Sequence, residues 1–298
     1  MDLKREILRL KEEKNAIILA HNYQTSEIQE IADFIGDSLE LARAATKTKA
    51  DVIVFCGVDF MAETAATLNP DKLVLIPSMD ARCPMAVQLP PEKVREAKKS
   101  GCPFVIYVNS YATSKAEADV CCTSANAAKV VEAIESETVM LGPDANLAWF
   151  AARKTGKKVI AVPSHGYCYV HKVFRIEDVK AARQRYPDAE IIVHPECDPD
   201  VQIAADFVGS TSQMYRYAKE SDAERIVVGT EIGLIERMRR EIEGKEFIPL
   251  RQSVCIEMKL NTLERIHDVL LNEKNVVKID EEVAKKARKA IERMLEVV

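Results

Sequence analysis

One pattern of short motifs occurs three times along the 298-residue chain. Its last motif is an apolar run, a proline and a loop that ends in cysteine, and these cysteines are Cys83, Cys168 and Cys255. The first two are 85 residues apart and the last two are 87 apart. A repeat of this length can form a small domain in each copy. The chain is therefore expected to fold as three similar domains in succession.

Each copy also carries the same polar landmarks at fixed offsets. A strand-like run leads into two polar residues that lie 12 and 10 positions before an aspartate, and a hydroxyl residue follows that aspartate by five positions. A glycine and an acid, two positions apart, come later. In chain order the landmarks are His21, Tyr23, Asp33, Ser38, Gly57 and Asp59; Tyr107, Asn109, Asp119, Ser124, Gly142 and Asp144; and His194, Glu196, Asp206, Thr211, Gly229 and Glu231. One order of landmarks, kept in every copy, establishes the repeat.

Apolar β-branched runs alternate with amphipathic segments throughout the chain. In the first copy the pattern predicts strands at 16–20, 33–36, 51–56 and 73–76 and helices near 26–32, 38–47 and 60–68. Such alternation is typical of parallel sheets covered by helices on both faces. We predict an α/β protein with three pseudo-symmetric three-layer α/β/α domains, each built on a parallel sheet. The predicted segments are 1–88 with an N-terminal helix, 89–172, 173–258, and 259–298 with helices near 262–272 and 280–297.

Composition argues against two classes of partner. Lys and Arg number 42 against 47 Asp and Glu, and both signs are interspersed, which does not favour nucleic acid. The chain has no apolar run of about 20 residues, and residues 1–14 predict a charged amphipathic helix rather than a signal peptide. We expect a cytoplasmic protein with reduced cysteines that binds neither nucleic acid nor membranes.

The polar landmarks are expected at the carboxyl ends of the strands, where open parallel sheets bind their ligands. Ser38, Ser124 and Thr211 are predicted to start helices, whose free N–H groups favour carboxylates and phosphates. These features indicate a small polyanionic substrate. The alternative is that the three hydroxyls are only helix N-caps. The acids of the third landmark are interpreted as first-turn residues that complement the helix dipole: Asp59, Asp144 and Glu231.

Equivalent loops of three similar domains can meet at one point, so Cys83, Cys168 and Cys255 are candidate ligands of one metal centre. A structural zinc ion usually has four protein ligands, often including a C-x-x-C pair, and this sequence has no such pair. A cubane iron–sulfur cluster held by three cysteines leaves one iron free to act as a Lewis acid. The remaining cysteines are interpreted as small buried apolar residues, with Cys197 left open beside the site: Cys56, Cys102, Cys121, Cys122 and Cys197.

Longer stretches of the sequence resemble the quinolinate synthases, which condense iminoaspartate with dihydroxyacetone phosphate in NAD biosynthesis. They cover nearly the whole chain and are AHNYQ, ADFIGDSLELAR, GVDFMAE, CPM at Cys83, YVNS, TSANA, GPDANL, GYCYVH, HPEC, GST and CIEMKLNTLE. The resemblance implies three α/β/α domains around a central site and a [4Fe–4S] cluster held by Cys83, Cys168 and Cys255. In this chain Tyr169 stands where the family commonly has a proline.

The resemblance also implies the residues of the substrate site. Family positions that bind substrate match His21, Ser38, Tyr107, Asn109, Ser124, His194, Glu196 and Thr211. The expected catalytic residues are Glu196, Tyr23, Tyr107 and His21; the first three exchange protons, and His21, like His194, holds a carboxylate. His171 matches a family histidine without an assigned role.

The resemblance implies iminoaspartate and dihydroxyacetone phosphate as partners, together with the L-aspartate oxidase or dehydrogenase that supplies iminoaspartate. Two other classes of protein stay open from the residues themselves. One is a cluster-dependent hydro-lyase of the aconitase kind, acting on a simple hydroxy acid. The other is a scaffold without activity, whose three cysteines bind zinc.

Overall fold

Three parallel β-sheets form the frame of the molecule. The computed structural model describes residues 3–297. Each sheet has four strands, and in each the second strand of its segment lies at one edge, followed by the first, the third and the fourth. Every pairing within the sheets is parallel. The predicted α/β class with three parallel sheets is confirmed.

The strands are short and mostly buried. The first sheet contains β1 (Ala16–His21), β2 (Phe34–Gly36), β3 (Val52–Cys56) and β4 (Leu73–Leu75); the second contains β5 (Phe104–Tyr107), β6 (Val120–Cys122), β7 (Thr138–Gly142) and β8 (Lys158–Ala161); the third contains β9 (Glu190–Val193), β10 (Phe207–Val208), β11 (Arg225–Gly229) and β12 (Glu246–Pro249). The domain boundaries predicted between these groups of strands stay predictions.

Helices connect the strands and cover the sheets. They are α1 (Leu3–Glu13), α2 (Ser26–Gln29), α3 (Ser38–Lys47), α4 (Asp59–Leu68), α5 (Pro91–Lys98), α6 (Ala112–Lys115), α7 (Ala127–Ala133), α8 (Ala145–Thr155), α9 (Tyr169–Lys172), α10 (Ile176–Arg185), α11 (Pro199–Ala204), α12 (Thr211–Glu220), α13 (Ile232–Glu241), α14 (Leu263–Asn272) and α15 (Glu281–Glu296). Helix α2 ends three residues earlier than the predicted 26–32. Among residues 3–297, no helix combines the length and the apolar character that a membrane span requires.

The repeated aspartate has the same structural role in every sheet. It is the residue directly before the second strand, and its carboxylate accepts a hydrogen bond from a backbone N–H in the first strand. The bonds run from Ile18 N to Asp33 (2.8 Å), from Phe104 N to Asp119 (2.8 Å) and from Ile191 N to Asp206 (2.7 Å). This landmark therefore holds the two strands together and lies away from the polar residues at the opposite strand ends.

The two C-terminal helices pack against the preceding domains. Helix α14 shares a buried apolar cluster with α1 and the first sheet. Helix α15 bonds to both of the first two domains, through Arg288 Nε to the carbonyl of Thr67 (2.8 Å) and Arg293 Nη1 to the carbonyl of Asp119 (2.8 Å).

The first domain also meets the third where Ser210 donates to Asp37 at 2.7 Å. Side chains thus connect the first domain to each of the other two.

The glycine of the third landmark allows a close backbone approach in the second domain only. A Cβ atom at Gly142 would lie 1.8 Å from the carbonyl oxygen of Val162, whereas one at the equivalent Gly57 would meet side-chain atoms of Phe55 and Met61 at 3.0 and 3.1 Å.

We expect Gly142→Ala to lower the free energy of unfolding by about 3 kcal/mol, because backbone atoms must move apart. Gly57→Ala should cost about 1 kcal/mol or less, since side chains can adjust. Urea unfolding of both variants measures the difference, and equal losses would contradict the backbone clash.

Candidate active site

One cavity is lined by residues from all three domains, at the carboxyl ends of their strands. All of the candidate site residues contribute to its wall: His21, Tyr23, Ser38, Cys83, Tyr107, Asn109, Ser124, Cys168, His194, Glu196, Thr211 and Cys255. Apolar side chains complete the lining, among them Phe60, Met61 and Met258. The structure therefore brings the candidates together, while the role of each stays a prediction.

The first and third domains place an imidazole in the same way. Strand β1 ends at His21, whose Nδ1 accepts a hydrogen bond from the N–H of Tyr23 at 3.2 Å. His194 follows β9, and its Nδ1 accepts from the N–H of Glu196 at 3.3 Å. With Nδ1 acting as acceptor, the proton of each neutral ring sits on Nε2. Both side chains can then donate one hydrogen bond to a ligand in the cavity.

Both imidazoles are neutral at neutral pH. Burial lowers the pKa of His21 to about 3, although the charge of Glu196 acts in the opposite direction. Burial also lowers the pKa of His194 to about 3, with a further lowering by His171. If these residues hold carboxylates as predicted, each neutral ring would bind its carboxylate by a hydrogen bond rather than by an ion pair.

Glu196 is a buried carboxylate that contacts the second domain. Its side chain is 3 % exposed, and Tyr107 donates a hydrogen bond to Oε1 at 2.6 Å. Burial by itself would raise the pKa of Glu196, but His194, His171 and Tyr107 outweigh it and lower the pKa to about 2. Burial and the Glu196 charge raise the pKa of the Tyr107 hydroxyl well above its usual value. Glu196 is therefore ionised, and Tyr107 keeps its proton.

His171 and Thr230 extend this site behind the cavity wall. Nδ1 of His171 lies 2.7 Å from Oε2 of Glu196, without a hydrogen bond of good geometry. Nε2 of His171 lies 2.9 Å from Oγ1 of Thr230, which lies 2.8 Å from the hydroxyl of Tyr23. The ring of His171 also stacks on His194 with a centroid distance of 4.4 Å. Tyr23 and Glu196 are thus connected through two buried side chains.

His171 had no predicted role, and Thr230 was not among the predicted site residues. One signal for Thr230 was available, since it stands between Gly229 and Glu231 of the third landmark. The equivalent positions in the other copies are Val58 and Pro143, so the hydroxyl breaks the repeat.

The three repeated hydroxyls are not N-caps, and one of them does not start a helix. Asp37 caps α3 and Ser210 caps α12, so Ser38 and Thr211 are the first helical residues. Helix α7 begins at Ala127, and the residue before it is Asn126. Ser124 lies in the turn that leads into this helix. The prediction that all three start helices is therefore wrong for Ser124. The alternative interpretation as N-caps is wrong for all three.

Asn109 presents an unsatisfied polar atom at the cavity. Its Oδ1 is buried and has no hydrogen-bond partner in the protein. Buried polar atoms are almost always paired, so an orphan at a cavity wall is a position where a ligand can supply the missing partner. This observation supports the prediction that Asn109 contacts substrate.

The three repeated cysteines are partly buried residues whose thiols lie at the cavity wall. Burial raises the pKa of the Cys83 thiol to about 12 and also raises the pKa of Cys255. The pKa of Cys168 is raised by burial, then by Glu196, and then by the other two cysteines. Thiolates in such a place need a cation, and a metal centre supplies one.

One repeated cysteine also belongs to a compact group of possible metal ligands. Among the described residues, the ligand atoms of Cys168, His171 and Glu196 all lie within 4.8 Å of one another. These three side chains are therefore close enough to contact one bound metal ion.

The other cysteines lie outside the cavity. All eight are free thiols, and Cys56, Cys121, Cys122 and Cys197 are buried as expected. Cys102 lies in the irregular segment before β5 and is only partly buried against the core, so its interpretation as a buried residue is wrong. The sulfur of Cys197 contacts the carbonyl of Gly229 at 3.7 Å and does not line the cavity.

The cysteine loops are bonded to one another. Gln88 of the first loop donates to the carbonyl of Tyr167 at 3.0 Å and accepts from its N–H at 3.1 Å. Tyr169 donates to Glu257 at 2.6 Å and accepts from the N–H of Ile256 at 2.9 Å. The tyrosine that replaces the common proline therefore joins the second loop to the third.

Comparison with known proteins gives one consistent result. The family model described as Quinolinate synthetase A protein matches residues 5–296. The chain is 56% identical to the quinolinate synthase of Pyrococcus horikoshii, covering 99% of each chain. It is 53% identical to that of Methanothermobacter thermautotrophicus, covering 99% of this chain and 98% of the relative, and 50% identical to that of Thermotoga maritima, covering 98% and 99%.

The two neutral histidines make the folded protein sensitive to acid. An unfolded histidine titrates near 6.5, whereas His21 and His194 do so at a pKa of about 3. Between these values the unfolded chain binds protons that the folded chain does not, so stability falls with falling pH. The loss is at most about 1.4 kcal/mol per pH unit for each histidine.

We expect His194→Gln to weaken this dependence between pH 7 and pH 5, measured by urea unfolding. The control His165→Gln removes an exposed histidine instead and should behave as the parent does. Parallel pH profiles for all three proteins would contradict the assignment.

Proposed function

Since the chain belongs to the quinolinate synthetase A family, we propose that it is a quinolinate synthase of NAD biosynthesis. Its substrates would be iminoaspartate and dihydroxyacetone phosphate, and its products quinolinate, phosphate and two waters. The atoms balance without an oxidant or a reductant. The observation that carries the proposal is the convergence of all candidate residues from three domains on one cavity.

The cavity suits substrates that bring two carboxylates and a phosphate. Helices α3 and α12 begin at its wall with Ser38 and Thr211, so their positive ends favour anions there. His21 and His194 are neutral donors, and Asn109 offers an unpaired oxygen. We propose that these side chains orient the substrates, while the apolar lining reduces competing water.

Proton transfer is assigned to the buried hydrogen-bonded groups. A carboxylate whose pKa is lowered to about 2 is a weak base by itself, but it can hold and polarise an imidazole. We propose that Glu196 acts together with His171 in removing protons. Tyr107 and Tyr23 remain protonated because burial raises their pKa values, so each hydroxyl can donate a hydrogen bond to a leaving oxygen and transfer its proton only as negative charge develops there. All four groups lie within one connected network.

We propose that Cys83, Cys168 and Cys255 hold a [4Fe–4S] cluster. Their shared position at the wall of one cavity supports a common centre, and the lack of a C-x-x-C pair does not favour a structural zinc ion. When bound, it would supply one iron without a protein ligand, which acts as a Lewis acid in dehydration. Because iminoaspartate is unstable, we further propose an L-aspartate oxidase or dehydrogenase as the partner that supplies it.

The cluster assignment predicts the metal content of protein purified without oxygen. We expect about four iron atoms and four sulfide ions per chain, and the loss of both in Cys83→Ala, Cys168→Ala and Cys255→Ala. The control Cys102→Ala changes a thiol outside the cavity and should keep both. Zinc without sulfide in the parent would identify a scaffold of the rival class, and iron retained in the variants would reject the ligand assignment.

The proton-transfer assignment predicts the behaviour of Glu196→Gln. This variant keeps the size of the side chain but loses its charge, so kcat for quinolinate formation should fall by about 10²–10⁴-fold. Its iron content and visible spectrum should match those of the parent. The control Asp200→Asn removes a charge from an exposed position and should retain kcat. Normal turnover in Glu196→Gln would remove Glu196 from the mechanism, and turnover of a hydroxy acid without quinolinate would favour the aconitase-like class.

A further inference from the structure

The acid of the third landmark has a second contact that its place on a helix does not explain. In the first domain Asp59 Oδ1 accepts a hydrogen bond from the backbone N–H of Cys83 at 3.2 Å, across 24 residues. In the third domain Glu231 Oε1 accepts from the N–H of Cys255, also at 3.2 Å and across 24 residues. In two domains, a carboxylate at a helix N-terminus thus accepts a hydrogen bond from the backbone of a cysteine loop.

The second domain has a looser form of this contact. Asp144 caps α8 by accepting from the N–H of Leu147 at 2.7 Å, and it also interacts with the N–H of Cys168. Its Oδ2 is buried and has no hydrogen bond of good geometry. The acid and the cysteine amide are therefore neighbours in all three copies, with a spare acceptor in the second.

Each acid is fixed by its own helix before it meets the loop. Glu231 caps α13 by accepting from the N–H of Gly233 at 2.6 Å, and Asp59 accepts from the N–H of Phe60 at 2.8 Å. Lys259 lies 2.9 Å from Glu231 Oε1 and compensates its buried charge. A carboxylate held in this way is a rigid acceptor, so it can define the direction of the amide that it binds.

We infer that Asp59, Asp144 and Glu231 are positioning residues that aim the three cysteines at a common centre. The inference rests on the proposed ligand role of the cysteines. A loop with a free N–H could rotate its cysteine away from the cavity, and one carboxylate bond per loop prevents that rotation. Groups that orient metal ligands typically change metal affinity about 10–100-fold when they are removed.

Asp59 allows the sharpest test because one oxygen makes both bonds. Asp59→Ala removes the acceptor, whereas Asp59→Asn keeps a carbonyl oxygen that can bind both N–H groups. The matched control is Asp33→Ala in the same domain, which also removes a carboxylate bond to a backbone N–H, that of Ile18. That bond lies at the strands rather than at the cysteine loop.

The first measurement is the rate at which a ferrous chelator removes iron from the holoprotein, together with the midpoint potential of the cluster. We expect Asp59→Ala to release iron about 10–100-fold faster with a shifted potential, and Asp59→Asn to remain close to the parent. Asp33→Ala should lower the thermal midpoint without changing either quantity. A parent-like release rate in Asp59→Ala, or an equal acceleration in Asp33→Ala, would overturn the inference.

The second measurement does not depend on the cluster. Hydrogen exchange of the full chain, followed by mass spectrometry, reports whether the peptide containing Cys83 is protected. Protection in the parent and its loss in Asp59→Ala supports the anchoring even if the parent contains no iron, an outcome that would defeat the proposed cluster alone. Equal exchange in the two proteins would reject the positioning role.

Discussion

The buried charge of Glu196 is the constraint on which the docking of the second and third domains depends. A carboxylate removed from water needs charge-assisted partners. Tyr107 supplies one from the second sheet, His171 lies against the other oxygen, and Asn146 binds the main-chain carbonyl of Glu196 at 2.9 Å. All three residues belong to the second segment, whereas Glu196 follows β9 of the third sheet, so these contacts form only when the two segments are docked in one way. Packing between the two domains and the chemistry of the cavity therefore share the same contacts.

The three copies of the repeat share one strand order but carry different side chains at the cavity. His21, Tyr107 and His194 occupy equivalent strand ends, yet two of them are neutral imidazoles and the third is a phenol. A strictly threefold cavity could not distinguish one end of a substrate from the other. The divergence at equivalent positions gives the cavity a direction, which a condensation between two unlike molecules requires.

Local patterns were sufficient to predict the frame, because strand alternation and fixed offsets depend on nearby residues. The same patterns misplaced the start of the helix after Ser124, since the backbone of the intervening turn depends on its side-chain bonds. The contact of Thr230 with His171 and the amide contact of Asp59 were not predictable, because they arise where segments distant in sequence meet. The repeat in the sequence predicted the positions of the cysteines and of the acids separately. The hydrogen bonds between them are visible only in the fold.

Helix α15 packs against both of the first two domains although it follows all three sheets in the chain. During synthesis the strands of all three sheets leave the ribosome before this helix does. The first two domains must therefore hold the apolar surface that α15 covers until this helix has emerged. The three repeated cysteines are thus present in the growing chain before the first two domains are fully packed.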